Sequence, residues 1–303
     1  MMYFFIFFLI SILSLFLFIP FSTRYIIDKP NQRSSHIKST PSGGGFIFII
    51  AIFIYSIINN DFKWFLTIPL ALVGLFDDIF KISYKFKLFS QILISFLIFN
   101  FNNNLFLNNE YYFFIIPFII FLSLTIINYV NFMDGIDGLI CGSFLVITLK
   151  FCLINDYPIY FLIPSLICLL IFNWSPAKLF IGDTGSLFLG SVFLIMLLNQ
   201  PSILDAIKFL LLLMPFILDC SITILRRLLN HQNILQPHKL HLYQRLYQAG
   251  LSHRKIAFIY TGSIFLLSIN PIYNNIIYMC LLSLIIFLFG FFLNANVAIK
   301  FKK

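Results

Sequence analysis

Two aspartates stand three residues apart in the stretch NYVNFMDGIDGL (128–139), and each is followed by a glycine. They are Asp134 and Asp137, preceded by Asn128 and Asn131, in a chain of which only 10% of the residues are charged. Carboxylate and amide oxygens are the ligands that hard cations such as Mg²⁺ prefer, and glycines let a backbone approach a ligand closely. The stretch therefore indicates a polar binding site in an apolar protein.

A second pair of acids, Asp77 and Asp78, ends an apolar run, and Lys81 follows. Ionisable groups at the end of a membrane helix are costly unless they are paired or functional. The pair either caps a helical turn and pairs with Lys81 three residues on, or it holds Mg²⁺ or a proton. Asp183, between glycines in GDTG, is by itself better explained by turn chemistry.

Basic and small residues fill two further polar stretches. The stretch 28–45 mixes basic residues, hydroxyls and a glycine triplet. It is either a flexible entry to a helix or a close approach to a ligand or a neighbouring helix. The stretch 226–255 is dense in Arg, Lys and His, and is either a solvated basic loop or a clamp for phosphate oxygens, which Arg and Lys bind well.

These stretches lie between apolar runs that predict membrane helices. The chain of 303 residues is 60% hydrophobic with a mean hydropathy of +0.98, whereas soluble domains carry about 25% charged residues. We predict an all-α, polytopic integral membrane protein with a single domain over 1–303, whose first run stays as a helix and is not a removable signal peptide. About eleven spans are predicted, at 2–21, 43–58, 64–76, 88–101, 111–127, 139–154, 157–172, 185–199, 203–225, 256–270 and 276–294.

The basic residues predict an orientation, because Lys and Arg of short loops collect on the cytoplasmic side. With the N-terminus outside and the C-terminus inside, the inside segments hold 17 of the 20 basic residues, all 5 histidines and seven of the 11 acids. The net charge of +9 is thus mostly cytoplasmic surface that attracts anionic membrane lipids, and no nucleic-acid partner is predicted. The inside basic residues are Arg24, Lys29, Arg33, Lys38, Lys81, Lys85, Lys87, Lys178, Arg226, Arg227, Lys239, Arg245, Arg254, Lys255, Lys300, Lys302 and Lys303.

The acidic stretches and the basic, histidine-rich loop come from separate segments that this topology places on one face. Carboxylates for a metal and cationic groups for phosphates are what phosphoryl transfer requires. A purely structural scaffold has no reason to gather both. A secondary transporter, the alternative from another class, places its acids near the bilayer midplane.

The motifs, their order and their spacing resemble the polyprenyl-phosphate N-acetylhexosamine-1-phosphate transferase family. This glycosyltransferase 4 family includes phospho-MurNAc-pentapeptide transferases and undecaprenyl-phosphate GlcNAc-1-phosphate transferases. The resemblance covers about residues 28–256, and its stretches RSSHIKSTPSGGG and HKLHLYQRLYQAGLSHRK look most like the branch that starts O-antigen and related surface glycans. The matching features are the Asp77–Asp78 pair, N-x-x-N-x-x-D-G-x-D-G-L from Asn128 to Leu139, P-A-x-x-F-x-G-D-x-G-S-L from Pro176 to Leu187, and the loop with His238 and His241.

The resemblance implies the reaction and its setting. The phosphate of undecaprenyl phosphate attacks the β-phosphate of a UDP-N-acetylhexosamine, which yields a polyprenyl diphosphate sugar and UMP and retains the anomeric configuration. Mg²⁺, with Mn²⁺ as an alternative, is the implied cofactor, and the cytoplasmic face of the inner membrane is the implied place. The particular sugar stays open, as does assembly as a homodimer.

The resemblance also assigns roles to residues at matching positions. Asp183 matches the metal ligand, with Asn131 and Asp134 as supporting groups. Asp137, Gly135 and Ile136 match the nucleoside pocket, and Asn173 and Phe180 match positions that hold uracil by hydrogen bonding and ring stacking. Asp77 matches a residue that positions or deprotonates the lipid phosphate, with Asp78 as its partner. For the diphosphate and other phosphates the implied residues are His238, His241 and Arg245, and more weakly Lys38, Lys81 and Lys87.

Two other groups of enzymes are alternatives to the surface-glycan branch. The peptidoglycan branch, the phospho-MurNAc-pentapeptide transferases, carries a run of adjacent histidines that this chain lacks. The CDP-alcohol phosphotransferases also join lipid and nucleotide chemistry with Mg²⁺, but the stretch DGIDGLI (134–140) lacks the Ala-Arg of their D-G-x-x-A-R motif. We therefore expect the surface-glycan branch, with the peptidoglycan branch as the alternative.

Overall fold

α-Helices dominate the structure, a computed structural model. It describes residues 2–30, 38–102, 112–155, 159, 161–234, 236 and 238–301. Arg33, His36, Lys302 and Lys303 of the predicted inside segments lie outside the described residues. The helices are α1 (Met2–Tyr25), α2 (Phe46–Asn59), α3 (Ile68–Phe80), α4 (Tyr84–Phe101), α5 (Tyr112–Phe132), α6 (Leu139–Asn155), α7 (Leu162–Asn173), α8 (Gly182–Leu198), α9 (Ile203–Leu211), α10 (Met214–Leu229), α11 (Leu242–Gln248), α12 (His253–Ser268), α13 (Asn270–Tyr273) and α14 (Ile276–Asn296).

Every predicted span overlaps helical structure, because a backbone in hydrocarbon must satisfy its own hydrogen bonds. The span predicted at 203–225 is not one helix, since α9 and α10 meet at a bend of 72°. Pro215 lies in the first turn of α10, where its missing N–H costs nothing but where it cannot continue the preceding helix. The short helices α11 and α13 were not predicted.

Length and apolar composition make three of the described helices able to cross a membrane, Met2–Tyr25, Phe114–Phe132 and Ile276–Asn296. The bent pair of α9 and α10 raises this number to four. Several apolar helices are shorter, among them α2, α7 and α8. The protein is thus a helical membrane protein, while the count of eleven spans and the orientation stay predictions.

Helix α8 forms the centre of the bundle and packs against α3 and α5. Except for Asp183, all of its residues are buried. Helix α2 reaches α8 through Phe48, whose ring stacks on that of Phe188 with centroids 5.2 Å apart. A Cβ at Gly45 would lie 2.2 Å from the Cα of Gly185. The glycine triplet therefore allows α2 to start directly against α8.

The helices confirm the predicted all-α class, and a small antiparallel ladder of two short strands accompanies them. Strands β1 (Ile27–Asp28) and β2 (Thr40–Pro41) pair with Ile27 opposite Pro41. Beyond β2, the N–H of Phe180 donates to the carbonyl of Pro41 at 2.8 Å. Backbone groups of buried loops need such partners, and these bonds bring the segment before α2 to the start of α8.

Candidate active site

A pocket of about 680 Å³ gathers residues from each of the polar stretches, and its volume is typical of ligand sites. All of its lining residues belong to segments that the sequence places inside. They are Ile26, Ile27, Asp28, Lys29, Ser42, Asp78, Lys81, Asp134, Gly135, Ile136, Asp137, Asn173, Phe180, Gly182, Asp183, His238, Tyr243, Gln244 and His253.

Asp78 of α3 caps the start of α8. Its Oδ1 accepts the backbone N–H of Asp183 at 3.0 Å, and its Oδ2 accepts the N–H of Thr184 at 3.1 Å and the hydroxyl of Thr184 at 2.7 Å. The first N–H groups of a helix lack partners within the helix and favour a negative charge. Asp78 therefore fixes the backbone that carries Asp183.

The carboxylate of Asp183 is held from two sides. Its Oδ1 accepts a hydrogen bond from Nδ2 of Asn131 at 2.9 Å, and its Oδ2 binds the ammonium of Lys87. The same ammonium lies 3.3 Å from Oδ2 of Asp77. Asn131 thus presents its amide nitrogen to Asp183 and orients the carboxylate. Its role as a ligand of a metal ion stays a prediction.

Asp134 lies on the loop between α5 and α6 and faces the other acids. Burial raises the pKa of its carboxyl well above the usual range, and the charges of Asp183, Asp78, Asp28 and Asp137 raise this pKa further. Carboxylates that share a site disfavour each other's ionised form. The pocket therefore gathers carboxyl groups whose ionised forms a bound cation would favour.

Asp137, three residues further on, lies in a different environment. Burial raises the pKa of its carboxyl, but the hydrogen bond and charge of His253 and the N–H of Ala177 outweigh burial, so that this pKa falls below the usual range. Nδ1 of His253 lies 3.1 Å from Oδ1, and the N–H of Ala177 donates to Oδ2 at 3.1 Å. Asp137 is therefore a held, ionised carboxylate beside the pocket.

Asn173 connects the two walls of the predicted nucleoside pocket. Its Oδ1 accepts the N–H of Gly138 at 3.0 Å, and its Nδ2 donates to the carbonyl of Leu179 at 3.0 Å. Phe180 and Ile136 line the pocket on these two walls. The structure thus brings together the residues assigned to the nucleoside, and Asn173 already uses its amide on the protein backbone.

His238 lines the pocket as a neutral ring. Burial, together with the charges of His241 and Arg227, lowers the pKa of His238 to about 4. Its Nδ1 accepts the N–H of Leu240 at 3.2 Å, which leaves the proton of a neutral ring on Nε2. In this neutral form, His238 can donate one hydrogen bond to a phosphate oxygen.

His241 and Arg245 do not reach the pocket, which corrects their predicted contact with the diphosphate. Both residues are 3% exposed. Nδ1 of His241 lies 3.5 Å from Oδ1 of Asp219, and the guanidinium of Arg245 donates to the carbonyl of Ile299 at 2.9 Å and to Oδ1 of Asn294 at 2.5 Å. These groups hold α11 against α10 and α14 because their partners come from those segments.

The three lysines that were weaker phosphate candidates lie in different places. Lys81 lines the pocket and ends α3 in the left-handed conformation. Lys87 lies behind Asp183 and joins it to Asp77. Lys38 is exposed and does not line the pocket, so we do not carry it into the proposed site.

Known proteins match the chain across the acidic stretches. The model of glycosyl transferase family 4 matches residues 62–200. The phospho-N-acetylmuramoyl-pentapeptide-transferase of Listeria monocytogenes serovar 1/2a is 32% identical over 226 residues, which cover 60% of this chain and 69% of that protein. The chain belongs to glycosyl transferase family 4. The predicted family is therefore confirmed.

Other similar members of glycosyl transferase family 4 are named as N-acetylglucosaminyl 1-phosphate transferases. The probable undecaprenyl-phosphate enzyme of Bacillus subtilis (strain 168) is 29% identical over 299 residues, which cover 88% of this chain and 83% of that protein. The undecaprenyl-phosphate alpha-N-acetylglucosaminyl 1-phosphate transferase of Thermotoga maritima is 32% identical over 192 residues, with 61% of this chain and 59% of that protein covered.

The carboxylates in the pocket of this family 4 chain fit a divalent cation that takes its remaining ligands from a substrate and from water. Among the described residues, no group of three or more His, Cys, Asp or Glu side chains is arranged to hold a metal ion. Mg²⁺ commonly takes one or two carboxylates and completes its shell with waters and substrate phosphates. Asp183 and Asp134, both lining the pocket, match that pattern, and Mg²⁺ stays a prediction.

Nine lining residues were not predicted as site residues, namely Ile26, Ile27, Asp28, Lys29, Ser42, Gly182, Tyr243, Gln244 and His253. Tyr243 donates its hydroxyl to the carbonyl of Phe132 at 2.9 Å and so fixes the end of α5. Tyr and Gln carry no distinctive chemistry in a sequence. Their proximity to the predicted histidines in the loop was the available signal for Tyr243 and Gln244.

Proposed function

We propose that the chain transfers N-acetylhexosamine 1-phosphate from a UDP-sugar to undecaprenyl phosphate or a similar polyprenyl phosphate, with release of UMP. The observation that carries the proposal is the meeting of Asp183, Asp134 and Asp137 in one pocket of about 680 Å³. The names of the family 4 relatives support the acceptor class. We propose this reaction as the first membrane step of O-antigen or a related cell-envelope glycan.

The donor is proposed to bind with its nucleoside between Phe180 and Ile136, near Asp137, and with its diphosphate toward Asp183 and Asp134. Ring stacking and a held carboxylate suit the nucleoside end. A divalent cation bound there, Mg²⁺ or Mn²⁺, supplies charge neutralisation for the diphosphate. The neutral ring of His238 donates a hydrogen bond to a phosphate oxygen.

The acceptor phosphate approaches from the side of Asp77. One of its oxygens bonds to the β-phosphorus of the UDP-sugar, the bond from that phosphorus to the oxygen bridging the α-phosphate breaks, and UMP leaves with that oxygen. A phosphate monoester with a second pKa near 6 is already largely ionised at pH 7. Asp77 therefore acts first through position, with Lys87 and Lys81 as the nearby positive charges, and only second as a base.

The membrane setting agrees with the two substrates. The phosphate of a polyprenyl lipid lies at the level of the head groups, whereas a nucleotide sugar is soluble in the cytoplasm. All pocket residues come from segments predicted inside, and we therefore propose a site on the cytoplasmic face of the inner membrane.

The proposal is tested with purified protein, undecaprenyl phosphate, Mg²⁺ and a panel of UDP-sugars, by measuring UMP release. We expect release with at least one UDP-N-acetylhexosamine, and Asp183→Asn is expected to lower kcat on the order of 10²-fold or more, because a charge-stabilising group is lost. The matched control is Asp205→Asn on α9, whose carboxylate binds Ser202 and Lys208 locally. Normal turnover by Asp183→Asn would contradict the assignment of Asp183 as a metal ligand.

The peptidoglycan branch is the second candidate, because a relative of that branch is matched over 69% of its length. UDP-MurNAc-pentapeptide is therefore included in the panel. Release of UMP with this donor and not with UDP-N-acetylhexosamines would replace the surface-glycan proposal by the peptidoglycan one.

A further inference from the structure

The start of α12 lies against the predicted nucleoside wall. Ser252 caps this helix by accepting the N–H of Lys255, and His253 is its first residue. His253 is 9% exposed, and its ring packs edge-on against the ring of Tyr247, with centroids 4.6 Å apart. The cap and the aromatic contact give the imidazole a fixed position at the edge of the pocket.

From this position His253 contacts Asp137 twice through one nitrogen. Its Nδ1 lies 3.1 Å from Oδ1 of Asp137 and 3.2 Å from the backbone nitrogen of the same residue. A ring with a proton on Nδ1 donates to the carboxylate, and a ring protonated only on Nε2 accepts the backbone N–H. Both forms of the ring therefore hold Asp137.

The next residue of α12 holds the opposite wall. Nε of Arg254 donates to the carbonyl of Ser175 at 2.8 Å, in the segment that leads to Phe180. The N–H of Ala177 from that segment donates to Oδ2 of Asp137 at 3.1 Å. Two consecutive residues of α12 thus join the loop of Asp137 to the segment that follows α7.

We propose that His253 is a positioning residue for the nucleoside end of the donor, acting through Asp137 and without transferring a proton in the reaction. The proposal rests on the proposed function, since it takes the ligand of this wall to be a uridine nucleotide. It predicts that the loss of His253 weakens donor binding while the chemical step at the phosphates and the binding of the lipid phosphate are preserved.

Two substitutions separate positioning from simple packing. In His253→Asn, an amide group stands near the place of Nδ1 and can hold Asp137 as the ring does. In His253→Gln, the amide stands nearer the place of Nε2 and loses this contact. Lys255→Gln on the same turn is the matched control, because Lys255 is exposed and does not line the pocket.

The test measures kcat, the KM of both substrates, and the Kd of UMP by calorimetry in detergent for each purified variant. We expect His253→Gln to raise the KM of the UDP-sugar and the Kd of UMP about 10-fold or more, as for a lost hydrogen bond to a charged group, with the lipid KM within about twofold. His253→Asn should stay within about threefold of the unaltered protein, and Lys255→Gln should be unchanged.

Equal effects of the Asn and Gln variants, or a fall in kcat with both KM values unchanged, would overturn the positioning role. Failure of the proposed function is recognised separately, by the absence of UMP release from the unaltered protein with every donor. If that protein still binds UMP, the variant series decides the role of His253 through Kd alone. If it binds no uridine nucleotide, both proposals are overturned.

Discussion

Asp77 and Asp78 are neighbours in sequence but serve different partners. Asp78 accepts hydrogen bonds from the start of α8, while Asp77 lies 3.3 Å from the ammonium of Lys87. Successive side chains on an α-helix point about 100° apart, so Asp78 meets the backbone at the start of α8, while Asp77 meets Lys87 of α4 beside the side chain of Asp183. The sequence left two interpretations open, a cap with an ion pair to Lys81 or a site for Mg²⁺ or a proton. It could not identify the observed partners, because these depend on how α3, α4 and α8 pack.

Gly182 allows the carboxylate of Asp78 to approach the start of α8 closely. It has a φ of +71°, and a Cβ there would lie 2.5 Å from Oδ2 of Asp78 and 2.7 Å from Oγ of Ser42. We predict that Gly182→Ala displaces the Asp78 cap, lowers the free energy of unfolding by about 1–3 kcal/mol and lowers UMP release about 10-fold or more. Thermal unfolding in detergent and the UMP assay measure the two effects.

The control for this substitution is Gly262→Ala in α12, where a Cβ would meet no atom within 4 Å. Alanine has the higher helix propensity, so this variant should be as stable as the unaltered protein or slightly more stable. Equal activity and stability of the two alanine variants would contradict the role given to Gly182.

At the scale of elements, α11 depends on a residue of α10. Oδ1 of Asp219 accepts the N–H of Leu242 at 2.7 Å, and Oδ2 accepts the N–H of Tyr243 at 3.1 Å and the hydroxyl of Tyr260 at 2.6 Å. The buried carboxylate thus caps α11, joins it to α12, and places Tyr243 and Gln244 in the pocket. Asp219 is the one charged residue of the apolar run LLLMPFILDCSITIL (211–225), so no local pattern indicates these partners.

We predict that Asp219→Asn weakens this junction, because one oxygen acceptor becomes an N–H donor that faces other donors. The expected loss in the free energy of unfolding is about 2 kcal/mol or more, together with weaker UMP binding. Thermal unfolding and calorimetry in detergent measure the change. Asp205→Asn is again the matched control, and an Asp219→Asn protein as stable as that control would refute the capping role.

The helices were predictable where an apolar run is long and uninterrupted. They were less predictable where contacts with residues distant in sequence determine the start or end of a helix. The bend between α9 and α10 lies in the run LLLMPF, and Pro215 is the residue of this run that indicates a break in the helix. Helix α11 is too short to show an apolar period, and its cap comes from Asp219. Asn128, which begins the matched motif but received no role from it, donates to Oε1 of Gln91 on α4 at 2.8 Å, a partner that no local pattern names.

At the scale of the molecule, two independent patterns agree. The distribution of Lys and Arg predicted which segments share a face, and the pocket is lined by residues of those segments alone among the described part of the chain. The agreement shows that the polar stretches meet in space. Which side of the membrane this face lies on is a separate question, because a membrane protein has the same packing in either orientation.

The predicted orientation is checked by cysteine accessibility. Of the described cysteines, Cys280 is exposed, Cys152 is partly buried, and Cys141, Cys168 and Cys220 are buried, so Cys280→Ser gives a suitable parent. Asn59→Cys at the end of α2 and Gln248→Cys at the end of α11 then introduce thiols at exposed positions. Because basic loops stay on the cytoplasmic side, an impermeant maleimide should label position 59 in intact cells and position 248 only after permeabilisation. The unlabelled parent is the control, and the reverse pattern would place the pocket outside and exclude a cytoplasmic nucleotide sugar as its substrate.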